Sequence, residues 1–238
     1  MSLLKKFYLT RESIASMYIE GDGIEIGALY DPLKVPASAR IKYIDERYED
    51  ELLNKYCNCL SPEQKNSLVK VDIIDDGHKL STIEDGSQDF VIANHFLEHC
   101  QNPILAITNM IRVLKKHGIL FLTVPDKRYS KHDINNEITT LEHVIRDYTE
   151  GGEVSRRKHI EDYIKIVEGE KNQCVVDERT EFYIKNGIDI HYHSWTQTEM
   201  LEIMLYLKKK LGFEIELIFK SGRREVFFIL RKSDLFTA

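Results

Sequence analysis

Several short apolar runs in this chain end on residues suited to binding or proton transfer. Gly27 follows Ile24-Glu25-Ile26, and Asp45 follows Ile41-Lys42-Tyr43-Ile44. Asp75 and Asp76 follow the run from Leu68 to Ile74, Asn94 and His95 follow Phe90 to Ala93, and Pro125-Asp126 follow Ile119 to Val124. A glycine lets backbone approach a ligand with no Cβ in the way, or it merely makes a turn. Aspartates accept hydrogen bonds from hydroxyl and amino groups, and are also favoured caps and turn residues. His95 and His99 flank Glu98, while His191 and His193 stand in His191-Tyr192-His193-Ser194-Trp195. Histidine serves as a general base near neutral pH, as a metal ligand, or as a satisfied structural group. Lys127-Arg128-Tyr129, and later Arg156-Arg157-Lys158-His159, are basic runs that hold anions or form solvated faces.

The elements that position these residues follow from apolar period and punctuation. Thr10 can cap a short helix carrying Ile14, Met17 and Tyr18. Strands are expected at 24–26, 41–44, 68–74, 90–93 and 119–124, with a charged helix over about 47–59 between the second and third. Pro32 and Pro36 argue against a helix after the first strand. Asn102 as N-cap and Pro103 at the first helical position open a helix with Ile104, Ile107, Ile111 and Leu114 on one face. Lys115 to His117 suit its negative end, and Gly118 closes it. Residues 126–190 break the rhythm and hold two amphipathic helix candidates, Leu141/Val144/Ile145/Tyr148 and Ile160/Tyr163/Ile164/Val167, parted by Gly151-Gly152. Thr196 and Glu199 make a capping-box pattern before a helix carrying Met200, Ile203, Leu207 and Leu211. Two strands, 213–219 and 225–230, close the chain around Ser221-Gly222.

Strands alternating with helices indicate an α/β fold with a mostly parallel sheet. Such sheets bind ligands at the carboxyl ends of their strands, which is where Gly27, Asp45, Asp75/Asp76, Asn94/His95 and Asp126 fall. A length of 238 residues suits one domain, here 1–238, with 126–190 as an inserted helical lid or acceptor-binding segment. No apolar run is long enough to span a membrane. Met1 to Lys6 lack the apolar run of a signal peptide. Four cysteines point to a reducing, cytoplasmic setting, and Cys57 and Cys59 read as incidental. A net charge of −6 argues against nucleic acid as the main partner. The oligomeric state is left open.

Ile24-Glu25-Ile26-Gly27, Tyr43-Ile44-Asp45, Asp76 and the run Gln88-Asp89-Phe90-Val91-Ile92-Ala93-Asn94-His95-Phe96-Leu97-Glu98-His99 resemble class I S-adenosylmethionine-dependent methyltransferases. The likeness is to the small-molecule type with Leu-Glu-His after the fourth strand. The resemblance implies a Rossmann-like sheet of order 3-2-1-4-5-7-6 with an antiparallel terminal strand. It implies S-adenosyl-L-methionine as cofactor and S-adenosyl-L-homocysteine as product. Glu25, Gly27 and Ala28 would lie near the methionine end, Asp45 at the ribose hydroxyls, Asp76 or Asp75 at the adenine, and Asn94 beside the sulfonium. The family's further glycines are replaced by Leu29 and Asp31. NAD would need a Gly-rich turn feeding a helix under its pyrophosphate, and the sequence offers neither.

Methyl transfer needs donor and acceptor held in line. A hydroxyl acceptor gains from a base, for which His99 and His95 are the candidates. In some quinone-pathway relatives this motif holds a divalent metal, but no metal is assigned here. At the fifth strand's end Asp126, Lys127, Arg128 and Tyr129, joined by His191 and His193, are expected to contact the acceptor. Cations there favour an anionic small molecule such as a sugar phosphate or nucleotide sugar. The overall pattern resembles methyltransferases of bacterial surface-polysaccharide assembly. O-methylation of such a precursor is the expected activity. The alternative is a catalytically silent S-adenosylmethionine-binding module.

Overall fold

The computed structural model describes residues 9–56, 59–222 and 224–233. The terminal segment Met1 to Lys6 and Cys57 lie outside these. Strands β1 (Gly21–Ile26), β2 (Ala39–Asp45), β3 (Ile73–Ile74), β4 (Gln88–Asn94), β5 (Leu114–Pro125), β6 (Phe213–Ser221) and β7 (Glu225–Lys232) form one sheet. Its order is β3-β2-β1-β4-β5-β7-β6. β1 runs parallel to β2 and β4, β2 parallel to β3, and β4 parallel to β5. β7 is antiparallel to both β5 and β6. It is therefore the one reversed strand, and the sheet has the Rossmann-like order that the resemblance implied.

Helices cover both faces. α1 (Arg11–Tyr18) starts on a capping box in which Thr10 accepts from the Ser13 N–H. It buries Ile14 and Ala15 against Phe90, Phe121 and Phe227. Met17, expected on that face, is exposed instead. On the opposite face α4 (Pro103–Val113) and α8 (Gln197–Leu211) pack the larger core around Ile107, Met110, Leu120 and Leu122. The Thr196–Glu199 capping box that opens α8 is present. After β2, α2 (Glu49–Tyr56) and α3 (Pro62–Lys65) lead to the sheet's edge.

Two boundaries differ from expectation. α4 stops at Val113, and Leu114 already pairs with Gln88 of β4. Lys115 thus lies on β5, where its Nζ pairs with Asp89 at 2.8 Å, rather than at a helix end. β3 shrinks to two residues. The preceding backbone bonds elsewhere, Val69 N–H to the Leu29 carbonyl and Asp72 N–H to that of Tyr43.

Between β5 and α8 the chain forms α5 (Leu141–Glu150), α6 (Glu153–Ile166) and α7 (Gln173–Asn186). The sequence reading found the first two and missed α7, whose apolar face is weak: only Val176 and Thr180 are buried. This segment has its own small core of Ile160, Ile164, Val176, Ile190 and Tyr192.

Candidate active site

The carboxyl ends of β1 to β4 surround a cavity of about 840 Å³. Gly27, Ala28, Asp45, Asp75, Asp76, Asn94, His95 and His99 all line it, together with Glu25, Phe96, His78 and Asp189. The volume falls within the usual range for small-molecule sites, about 300–1,000 Å³.

Glu25 organises the first loop. Its carboxylate oxygens accept the Leu33 N–H at 3.1 and 3.0 Å, and Oε1 also accepts Asn94 Nδ2 at 3.3 Å. Through these bonds the proline-containing loop folds back on β1 without the helix that usually follows. Burial pushes the Glu25 carboxyl up to about 7, against the Leu33 and Asn94 hydrogen bonds. Asn94 reaches the other way too, its Oδ1 accepting Thr123 Oγ1 at 3.1 Å. Gly27 has φ +65 and a Cβ built there would meet only Phe96, at 3.6 Å. Its demand for glycine is therefore conformational rather than steric.

Asp45 ends β2 and accepts the Glu46 N–H at 2.8 Å through Oδ1. Burial raises its carboxyl to about 6. Asp75 is occupied within its own turn: Oδ1 accepts the Asp76 N–H, and Oδ2 accepts the Thr82 N–H and hydroxyl. Asp76 pairs with His78 Nδ1 at 2.9 Å and Lys79 Nζ at 3.1 Å. His78 in turn tilts against Phe96, with ring centroids 5.4 Å apart. His78 Nε2 is buried in this wall without a hydrogen-bond partner.

The histidines after β4 do not share a helical face. His95 has φ +48, and Leu97–His99 is a single 3-10 turn. A non-glycine residue in the left-handed region is held there by its surroundings. His95 donates its N–H to the Thr123 carbonyl at 3.0 Å. Its ring lies between two carboxylates, Nε2 at 3.0 Å from Glu225 and Nδ1 at 3.3 Å from Glu98. Burial alone would lower its pKa, but Glu225 and Glu98 outweigh it and carry it up to about 9. His99 Nδ1 meets Asp189 at 3.1 Å. There too burial opposes the charge, and Asp189 lifts the imidazole to about 9. Glu98 is buried, which alone would raise its carboxyl; His95, His99 and His191 hold it below the usual range.

The residues after β5 stand apart from this cavity. Arg128 makes a bidentate pair with Asp126 at 2.9 and 2.6 Å, and Lys220 joins the same carboxylate at 2.6 Å. Burial would raise the Asp126 carboxyl, but these cations take it down to about 2. Lys127 is buried and donates to the Ile134 carbonyl, and Tyr129 lies under Lys220 at 4.7 Å. Asp126 and Arg128 are thus tied to one another and to Lys220, Lys127 to the Ile134 carbonyl and Tyr129 to Lys220, and none of the four lines the cavity. His191 and His193 also diverge. His191 Nδ1 bonds Asp133 at 2.8 Å and its ring meets His99 edge-on, whereas His193 is buried away from the cavity. Asp189 and Glu225, the partners of the two catalytic candidates, gave no sequence signal, because they lie 90 and 130 residues from the histidines they hold.

Residues 46–122 match the methyltransferase domain family. That stretch runs from just after Asp45 through β4 and most of β5, and so includes much of the cavity wall. No curated protein matches the chain. Among solved structures the chain is similar to a SAM-dependent methyltransferase from Methanosarcina mazei, at 17% identity and TM-score 0.48, over 95% of this chain and 99% of that one. It is also similar to a SAM-dependent methyltransferase from Aquifex aeolicus, at 11% identity and TM-score 0.48, over 92% of this chain and 85% of that one.

Asp31, Asp45, Glu46, Asp76 and Asp189 give the cavity an acidic lining, while its cations Arg11, Lys55 and the charged rings of His95 and His99 are paired with Glu225, Glu46, Glu98 and Asp189. An acidic lining favours a sulfonium cation over a phosphate. Asp45 can accept hydroxyl donors, and the Phe96 ring, backed by His78, gives the cavity an aromatic wall.

Proposed function

We propose that this chain is an S-adenosylmethionine-dependent methyltransferase that methylates an oxygen of a small polar acceptor, with His99 as the base and Asp189 orienting it. The observation that carries the reading is the His99–Asp189 pair, 3.1 Å apart in the wall of the cavity that Asp45 and Gly27 also line. When bound, S-adenosylmethionine supplies a methyl group already activated on a sulfonium. The protein's part is to hold, align and deprotonate.

Asp45 accepts the donor's ribose hydroxyls, and Gly27, Ala28 and Asn94 lie at its methionine end. Asp76 and His78 form the adenine side, and Asp75 shapes that turn. Asp189 holds His99 Nδ1, which leaves Nε2 to take the acceptor's proton. His95, whose two ring nitrogens both face carboxylates, positions the loop instead of acting as the base. The segment 126–190 contributes Asp189 to the cavity wall, where the chain leads back to the sheet.

Hydroxyl-rich precursors of surface polysaccharides are the acceptor class we propose, on the strength of the sequence resemblance. The paired cations after β5 lend no support to an anionic group at the cavity itself. A cytoplasmic setting goes with the sparse cysteines. Among the described residues no helix is long and apolar enough to cross a membrane.

The test is turnover of labelled donor with a panel of sugars and nucleotide sugars. His99→Ala should lower kcat by roughly 10²–10⁴-fold while donor affinity holds. Full activity in His99→Ala, or turnover of amines but no hydroxyl compound, would reject the assignment.

A further inference from the structure

A second group of side chains lies outside this cavity. His143 and Asp147 stand one turn apart on α5, His159 is on α6, and His193 lies in the extended segment before α8. Their side chains converge on one point. His143 Nε2 is 3.0 Å from His159 Nε2 and 3.2 Å from Asp147 Oδ2, and His193 Nε2 is 3.7 Å from that same oxygen. One donor atom from each residue fits within a span of 4.8 Å. The three imidazoles meet edge to face, at 72° to 75°.

Hydrogen bonding accounts for only part of this arrangement. Neither His193 Nε2 nor Asp147 Oδ2 has a hydrogen-bond partner, although both side chains are buried. A buried polar atom left without a partner typically costs about 1–3 kcal/mol, so it calls for a reason. His143 Nε2 and His159 Nε2, 3.0 Å apart, can share one N–H···N hydrogen bond, which still leaves His193 Nε2 and Asp147 Oδ2 unsatisfied. Donor atoms bound to a tetrahedral zinc at about 2.0–2.2 Å lie roughly 3.3 Å from one another. The observed separations scatter around that value.

We propose that His143, Asp147, His159 and His193 form a structural zinc(II) site that clamps the 126–190 segment to the sheet domain. Three imidazoles and one carboxylate make a complete tetrahedral N3O set, which suits zinc and leaves no position for catalysis. The surrounding groups fix the donors. Ser155 donates to Asp147 Oδ1 at 2.5 Å and leaves Oδ2 for the metal. Trp195 stacks on His193, with centroids 5.3 Å apart and planes at 20°. Asn102, the cap of α4, donates to the Asp147 carbonyl at 3.1 Å and ties α5 to the main core. Burial takes His193 down to about 3 and His159 to about 4, which keeps both rings in the neutral, ligating form. A cavity of about 260 Å³ lined by His143 and His159 gives the ion a way in. With metal on His143 Nε2, its Nδ1 carries the proton, so the exposed Arg146 that now lies 3.0 Å from Nδ1 moves into solvent. The assignment does not depend on the methyltransferase reading.

Metal content of the full chain tests it. Protein purified without chelator from zinc-supplemented cells should carry about one zinc per chain by elemental analysis. Stripping it should lower Tm by several degrees, and zinc should restore it. Cobalt(II) added to the stripped protein should give the intense visible bands of a tetrahedral site. His143→Ala and His159→Ala, at half-buried positions, should retain less than about a tenth of the zinc with helical content preserved. If either variant unfolds, the cobalt spectrum of the unaltered chain still decides. His99→Ala should keep its zinc, because His99 belongs to the neighbouring Glu98–His99–His191 group. Absence of bound zinc with a chelator-insensitive Tm, an octahedral cobalt spectrum, or loss of zinc in His99→Ala would each overturn the proposal.

Discussion

His99 Nδ1 stands 3.1 Å from Asp189 Oδ1, joining the turn after β4 to the segment after α7 across 90 residues of sequence. The carboxylate fixes which ring nitrogen is available and favours the charged ring. With the imidazole lifted to about 9, the base form is a minority at neutral pH. Turnover should therefore rise with pH through about 9. Asp189→Asn removes the charge, so the rising limb of kcat should move toward the ordinary histidine value, about 6.5. A limb that stays in place would show that another group is titrating.

The same pair has a stability consequence. A histidine whose folded pKa is raised contributes stability that is fully present below its unfolded value and is lost as pH rises through the folded one. His99→Gln should thus cost most below about pH 6.5 and least above about pH 9. Denaturant titrations at pH 6 and 9.5 would show it, and an equal cost at both would contradict it.

Glu25 titrates with the opposite charge. Its carboxyl is pushed up to about 7, so the folded chain holds this proton more tightly than the unfolded one, whose value is about 4.3. The associated stability is present below the unfolded value and lost as pH rises through about 7. Glu25→Gln keeps an acceptor for the Leu33 N–H but does not titrate. Unaltered protein should therefore lose stability relative to this variant between pH 5 and 8. A constant difference would place the proton elsewhere.

Arg128 offers a check on where the acceptor does not bind. Its guanidinium is held by the buried Asp126. Arg128→Ala should cost no more than about 1 kcal/mol of stability, since the guanidinium is half exposed and Lys220 still holds Asp126, while the acceptor KM stays within about twofold. A large rise in KM at unchanged stability would return Arg128 to the binding site.

The parts of the fold legible in the sequence were those specified locally. Thr10, Thr196 with Glu199, and Asn102 with Pro103 announce α1, α8 and α4 within a few residues, and each cap forms as read. Errors arose where tertiary pairing overrode a local signal. Lys115 to Gly118 look like a helix end, but Leu114 pairs with β4 instead. His95, Glu98 and His99 have the spacing of one helical face, but the left-handed backbone of His95 takes it off that face. Residues at strand ends were legible because topology alone brings them to one edge. Their charge partners were not, since Asp189 and Glu225 come from distant segments. The His143–Asp147 spacing of four residues was a usable signal for the second site, passed over because its other members lie on separate elements.

Donor binding by calorimetry with S-adenosylhomocysteine tests the central claim most directly, since it needs no acceptor. With the Asp45 carboxyl near 6, affinity should hold at pH 7.5 and fall as pH drops through about 6, because the protonated form is a poorer acceptor of hydroxyl donors. Asp45→Ala should weaken binding at pH 7.5 about tenfold or more, corresponding to about 1.5–3 kcal/mol for a lost charged acceptor. It should also flatten the pH dependence with the fold intact. Undiminished affinity in Asp45→Ala, or no binding by the unaltered chain, would contradict the account.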